Sequence, residues 1–305
     1  MQVADVAARI SALRERLESE AVGPQAARLG RIFAVAERRL AQELTMFRGL
    51  QVKQGHVVRS VENIRHAMTV ADRARRAIDA TVTQPGEKWA RQMVADMRDV
   101  GVEIAEANLR VPWLSPEHIE AVFDHVPEIT RPVLEVHLRG AYQIMGTVGD
   151  DVQEWFRQTL LDAIADELPV QGEGSLAERI AVSGRIKPIT VRTRTGGLIT
   201  RSISTRANAI ARVECAKVIN SVHERIGEEA LGDEAQWINT NPMDHATTPI
   251  CRDATQAGPH PLSWWDASRF GRPPRLNPFH LCRSVLVAVQ PEWLTMTPAM
   301  AKRSS

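Results

Sequence analysis

The chain has 305 residues, room for two domains, and its 44% hydrophobic and 25% charged residues exclude a wholly disordered polymer. The net charge of +1 conceals three blocks, +4 over residues 1–110, −8 over 111–185 and +5 over 186–305, a pattern that argues against a general nucleic-acid coat. No apolar run approaches the ~18 residues of a membrane helix, no signal peptide opens the chain, and Cys215, Cys251 and Cys282 form no secreted-type framework. The expectation is a protein made in the cytosol, with no membrane partner.

One Tyr and six Phe leave Ala, Val, Leu, Ile and Met to build the core, which suits helices packed on helices. Val6, Ile10, Leu13 and Leu17 mark the stripe of a first helix, with Arg9, Arg14 and Arg16 on other faces, and Gly23-Pro24 is expected to break it. A second helix carries Leu29, Ile32, Phe33, Leu40, Leu44 and Phe47 and stops near Gly49. A third, from about His56 to Val82, is expected to turn Val57, Val61, Ile64, Met68, Ala71 and Ile78 inward. Gln84-Pro85-Gly86 punctuates the chain before a fourth stripe of Trp89, Met93, Met97, Val100 and Ile104. Ser115-Pro116 reads as an N-cap followed by proline at the first helical position. Two further helices are expected, from about Thr130 to Gly146 and from Asp150 to Leu168.

At Gly172 to Ser175 the apolar periodicity is interrupted, and the domain boundary is placed there. Past a short helix from Leu176 to Val182, β-branched runs at Ile189 to Thr193 and Leu198 to Ser202 flank Arg194 to Gly197 and predict a hairpin. A helix from about Ser204 to Gly227, a strand through Gln236 to Asn239, a long Pro/Gly/His loop and a strand from Ser284 to Val289 complete a small α+β domain. The fold class is α+β, predominantly helical: an N-terminal helical bundle over 1–171, the α+β domain over 172–291, and a polar tail over 292–305.

The second domain holds three features in a fixed order. The long helix carries Arg212, Glu214 and Asn220 among apolar residues; Trp237 and Asp244 precede Thr248 to Arg252; Pro273-Pro274 precedes Asn277 to Ser284. In this order the segment from about 174 to 290 resembles the MuF-like family of phage head morphogenesis proteins. Members show an "ARTE"-like helix start with a later Asn, a Trp, an acidic residue before "CPIC" and its following glycine, and a closing "PP…HPNCRC" leading into a strand. Arg212, Glu214, Asn220, Trp237, Asp244, Cys251, Gly258, Pro273, Pro274, Cys282 and Arg283 match that pattern. Thr248 and Ser284 stand where the family has a second thiol in each pair, and His280 lies two residues before Cys282 rather than three.

The resemblance implies a MuF-like domain in a minor head, or minor capsid, protein of a tailed bacteriophage. Such a protein is a virion component of the head interior or portal vertex, acting in head morphogenesis and genome delivery. Its partners would be the portal protein, the scaffold or the major capsid protein, with packaged DNA a further candidate, and its role would be binding rather than catalysis. The residues leave the state of the thiols open. Cys251, His280 and Cys282 could hold a structural zinc, with His245 or His260 as fourth ligand; Cys251 and Cys282 could form a disulfide; or both could be buried reduced thiols, with no cofactor at all. Cys215 reads as a small buried hydrophobe. The alternative of another class is a Cys/His metal-dependent hydrolase or toxin-like effector, for which Glu214 near a histidine and a thiol would supply acid–base groups. A DNA-binding internal head protein is a third reading. Trp264, Trp265 and Phe270 are expected to form the loop's own small core.

Overall fold

The computed structural model describes residues 3–44, 49–111, 114–173, 175–176, 190–192, 198–200, 203–232, 235–241, 247–274 and 284–292. The chain is predominantly helical, with short antiparallel β pairs. In order come α1 (Val3–Leu17), α2 (Gly23–Leu44), the hairpin β1 (Val52–Lys53) and β2 (His56–Val57), α3 (Val61–Ile78), α4 (Gln84–Leu109), α5 (Pro116–Asp124) and α6 (Val126–Ala165). The hairpin β3 (Thr190–Arg192) and β4 (Leu198–Thr200) follows, then α7 (Ile203–Leu231), β5 (Gln236–Thr240), α8 (Pro249–Gln256), α9 (Leu262–Ala267) and β6 (Val285–Val289). No helix among the described residues is long and apolar enough to cross a membrane.

Two compact units interleave along the chain, and the boundary expected at residue 172 falls inside the second. The first comprises Met1–Gln25, Arg91–Arg139 and Ala209–Ser305; the second, Ala26–Ala90 and Gly140–Asn208.

Two expected breaks are absent. At Gly23-Pro24 and Gln84-Pro85 the chain stays helical through π turns, Glu18–Val22 and Asp79–Thr83, each ending two residues before its proline. Proline lacks an N–H and its ring collides with the carbonyl four residues back. Here that carbonyl, of Glu20 or Thr81, lies in the widened turn, which is how the helix absorbs the ring without ending. The two helices expected on either side of Gly146 to Gly149 are likewise one, the 40-residue α6. Gly149 serves packing rather than a break, since a Cβ there would collide with the Asp79 carboxylate. Gly86 similarly makes room for Met145, whose sulfur would lie 2.7 Å from an added Cβ.

The second unit also corrects the expected start and face of α3. Residues 52–57 form a hairpin whose turn residues Gln54 and Gly55 have φ of 52° and 81°, the left-handed pair that a type I′ turn requires. Asn63 fastens this hairpin to the helix: it accepts from Gln51 N at 2.7 Å and donates to Gln51 O at 3.0 Å and Val58 O at 2.6 Å. Ser60 caps α3, its hydroxyl accepting from Asn63 N at 3.1 Å. Ala71 and Ile78 are buried as expected, and with Asn63 inward so are Ala67, Val70, Ala74 and Ala77, whereas Val61, Ile64 and Met68, expected inside, face solvent. Small side chains let neighbouring backbone approach closely, so the alanine face wins although the other carries larger apolar groups. Leu50, Val57, Ala67, Val70, Leu160, Ala163, Ile164 and Leu176 form one core cluster beneath the hairpin. Residues 168–170 extend its edge through Val57 N to Leu168 O and Val170 N to Gly55 O, both 2.9 Å. The hairpin predicted around Arg194 to Gly197 is present as β3–β4, in register Thr190↔Thr200 to Arg192↔Leu198, and its turn lies outside the described residues.

In the first unit, β5 and β6 pair antiparallel from Gln236↔Val289 to Thr240↔Val285, and α1 packs against them. Val6, Ile10 and Leu17 of α1 are buried as expected, and so is Arg14, at 2% exposure, which was expected outside. The full predicted stripe of α4, Trp89, Met93, Met97, Val100 and Ile104, is buried. Ser115 caps α5 by accepting from His118 N at 3.3 Å, with Pro116 in the first turn. Gly101 of α4 is where α7 crosses: a Cβ there would lie 2.7 Å from Val222 Cβ and 2.9 Å from Ile219 O.

Candidate functional site: a ribbon closed on both edges

α7 is buried on several faces, with Ala207, Ala211, Cys215, Val218, Ile219, Val222 and Ile226 in the core, as Cys215 was expected to be. The polar groups it carries inward are therefore few. Glu214 is 4% exposed and accepts from Lys217 Nζ at 2.8 Å, so the buried carboxylate is neutralised one turn along its own helix rather than by a neighbouring element. Arg212 is half-buried beside it. Asn220 is buried, and its amide reaches the carbonyl of Ser284 at 3.5 Å, just before β6. From α6, His137 meets Ser221 Oγ at 2.9 Å; burial lowers the His137 pKa, outweighing the pull of Glu214 in the other direction.

Trp237 and Ala288 lie opposite each other in the ribbon, and both point their backbone groups outward. Those of Ala288 are taken by Asn108 at the end of α4: Ala288 N donates to Asn108 Oδ1 at 2.8 Å, and Asn108 Nδ2 donates to Ala288 O at 3.0 Å. One side-chain amide thus supplies what a third strand would. His223 Nε2 donates to the same Oδ1 at 2.9 Å, which fixes the tautomer because that oxygen already accepts from Ala288. Complete burial pushes the His223 pKa down to about 3, so the ring is neutral. It meets the Trp237 ring edge-on at 5.9 Å.

On the other edge Trp237 N donates to His260 O at 2.8 Å and His260 N returns to Trp237 O at 3.1 Å. Trp265 Nε1 donates to Trp237 O as well, at 3.0 Å. The His260 ring stacks on Trp264 at 3.6 Å and donates from Nε2 to Ala257 O at 3.0 Å. Trp265 is fully buried while Trp264 and Phe270 are half-buried, so this cluster is the small core expected of the segment. The segment itself was expected to be loop; it contains α8 and α9, started by proline at the first turn of α8 and by Pro261 before α9. Gly227 of α7 lets the Trp237 ring come close, since an added Cβ would lie 2.6 Å from it.

Cys251 is buried in the first turn of α8. Its carbonyl accepts from Asn241 Nδ2 and from Thr255 Oγ1, both at 3.1 Å, and Asn239 and Asn241 also donate to Thr255 Oγ1 at 2.9 and 2.6 Å. These bonds tie the end of β5 to α8. The remaining members of the expected thiol site, His280 and Cys282, lie outside the described residues, as do His245, Asp244 and Arg283. Among the described residues no three His, Cys, Asp or Glu side chains converge as metal ligands.

Sequence reasoning missed one further cluster. Arg272, just before the Pro273-Pro274 pair, donates to Glu224 Oε2 at 3.2 Å and to Asp266 Oδ2 at 2.5 Å. Glu224 is 6% exposed, and burial pushes its pKa up to about 7 against the opposing pull of Arg272. Part of the signal lay in the sequence: Asn220, His223 and Glu224 are spaced three and four apart, so they share one face of the helix.

Compared with models of protein families, with curated proteins and with solved structures, the chain matches none.

Proposed function

We propose that this chain is a minor head protein of a tailed bacteriophage, similar to the MuF-like head morphogenesis proteins, that acts by binding at the portal vertex. The observation that supports this reading most is the convergence of the residues carrying the resemblance. Asn220 reaches the start of β6, Trp237 fills the space under Gly227, and Cys251 is held by the end of β5, so residues from two of the three motifs serve one ribbon. Buried polar groups that end on backbone atoms suit a rigid scaffold for docking rather than a site of turnover. In this role the α+β part supplies the fixed frame, and the helices offer faces to the portal, scaffold or major capsid protein. Quantitative mass spectrometry of purified virions and proheads tests it: the protein is expected in both, at a copy number comparable with the portal, and its absence from both would refute the assignment.

A further inference from the structure

Val61, Ile64 and Met68 of α3 are 57%, 42% and 41% exposed, and their spacing of three and four residues lines them into one stripe two turns long. Beside this stripe Arg65 and Arg76, three turns apart, project from the same outer face, and Arg59 precedes the Ser60 cap. All three arginines are exposed, and none forms an ion pair among the described residues. Arg75 on the same helix is by contrast engaged, with Asp150 at 2.7 Å and Asp79 at 3.7 Å. Two exposed carboxylates share this face, Glu62 near the stripe's start and Asp72, which accepts from the neutral Gln153 Nε2 at 2.6 Å, so the three arginines still outnumber them.

We propose that the outer face of α3 docks an acidic amphipathic helix of a partner protein. Val61, Ile64 and Met68 pack into its apolar stripe, and Arg59, Arg65 and Arg76 meet its carboxylates. An apolar stripe at this spacing is the anchor pattern of helix-on-helix recognition, and a row of unpaired cations running beside it selects a partner of opposite charge. A second copy of the same face is disfavoured, because two-fold pairing would set arginine against arginine. Duplex DNA would pair with the cations but leave the stripe in water. A bilayer surface would find no aromatic or leucine on it to insert. The inference sharpens the binding role proposed above by naming one face and its partner's chemistry, and it is tested without reference to virions.

The probe is a labelled helical peptide of Leu, Ala and Glu with leucines at the same spacing, titrated onto the full chain, with a Leu/Ala/Lys peptide, duplex DNA and phosphatidylglycerol vesicles as competing arms. The Glu peptide is expected to bind, to weaken with salt, and to lose about tenfold or more in affinity in both Ile64→Asp/Met68→Asp and Arg65→Glu/Arg76→Glu. Both variants alter exposed side chains and should melt like the wild type, as should Val136→Asp, which changes another exposed valine and should leave binding intact. The proposal is overturned if the Glu peptide does not bind or binds both α3 variants unchanged. Equal or tighter binding of the Lys peptide, DNA or vesicles overturns it too, as does a dimer in sedimentation that the α3 variants abolish.

Discussion

Replacing Asn108 by Ala removes the one side chain that completes the outer edge of β6. Three hydrogen bonds go together: the N–H and C=O of Ala288, with contacts at 2.8 and 3.0 Å, and the Nε2–H of His223, at 2.9 Å. Asn108, His223 and Ala288 are each fully buried, so the abandoned groups have no ready route to water. A buried donor or acceptor left unsatisfied costs about 1–3 kcal/mol. Partial relaxation, or a water entering the vacated space, would recover some of this, so a loss of about 3–5 kcal/mol is expected. Urea unfolding followed by circular dichroism should show the midpoint falling with the slope unchanged, and hydrogen exchange at the Ala288 amide should accelerate. Asn108→Asp separates geometry from charge: the Ala288 N–H keeps its acceptor, while the second oxygen confronts the Ala288 carbonyl and a carboxylate beside His223 draws the imidazole pKa upward. If Asn108→Ala cost less than about 1 kcal/mol, the idea that a side-chain amide stands in for a strand would be wrong.

The remaining predictions use the same unfolding assay. Burial holds His223 neutral to about pH 3, so the unfolded chain takes up that proton first, and this group's contribution is lost as pH falls from 6.5 toward 3. Glu224, raised from 4.5 to about 7, gives the opposite slope: the folded chain holds its proton longer, so stability falls as pH rises through that window. The two slopes oppose each other between pH 4.5 and 6.5. Glu224→Gln should expose the His223 slope there, up to about 1.4 kcal/mol per pH unit, and an unchanged pH profile in that variant would count against the assignment. Gly101→Ala should destabilise by about 2 kcal/mol or more, because the added Cβ meets the Ile219 carbonyl and the Val222 branch point; Gly146→Ala, with nothing within 4 Å, should be neutral or gain up to about 1 kcal/mol. Ser115→Ala should cost about 1 kcal/mol through the lost cap on α5, and a melt unchanged within error would contradict that.

What the sequence made legible is what depends on near neighbours. The α4 stripe, the Ser115 cap, the β3–β4 hairpin and the strands at 236 and 285 all follow from local period or local turn chemistry. The errors arise where a local rule has a tertiary exception. Gly-Pro and Pro-Gly usually end helices, but a π turn one step earlier relieves the ring clash at Pro24 and Pro85. A glycine pair usually separates helices, but Gly149 in α6 admits Asp79. On α3 the expected inner face is half right: Ala71 and Ile78 are buried, but the larger Val61, Ile64 and Met68 lie outside while Asn63, Ala67 and Val70 turn inward. The candidate site divides in the same way. Glu214, Asn220, Trp237 and Cys251 stood out as polar, aromatic or thiol groups in a recurring order. Asn108 did not, since its partner is 180 residues away and an asparagine near a helix end reads as an ordinary exposed position. The spacing of Asn220, His223 and Glu224 on one face of α7 was legible, but that this face is buried, and that Arg272 meets it from 48 residues away, was not.

A two-stranded ribbon is marginal alone, since each strand has one unpaired edge and too little area to bury. Among the described residues no third strand joins β5 and β6, yet all five residues of β6 are buried. The stability has to come from outside the ribbon, and the structure shows where. Asn108 closes one edge, the His260 backbone and the Trp265 indole close the other, and α7 lies near enough for the Trp237 ring to contact Gly227. Each closure comes from a different segment of the chain, so the ribbon cannot be complete until α4, α7 and the segment through α9 are all in place. This part of the protein therefore behaves as a helical core with a strand pair set into it rather than as a sheet with helices added. Its cooperativity rests on a few buried polar contacts, and substitutions at Asn108 and Trp265, whose side chains make them, should be more disruptive than their distance from one another in sequence suggests.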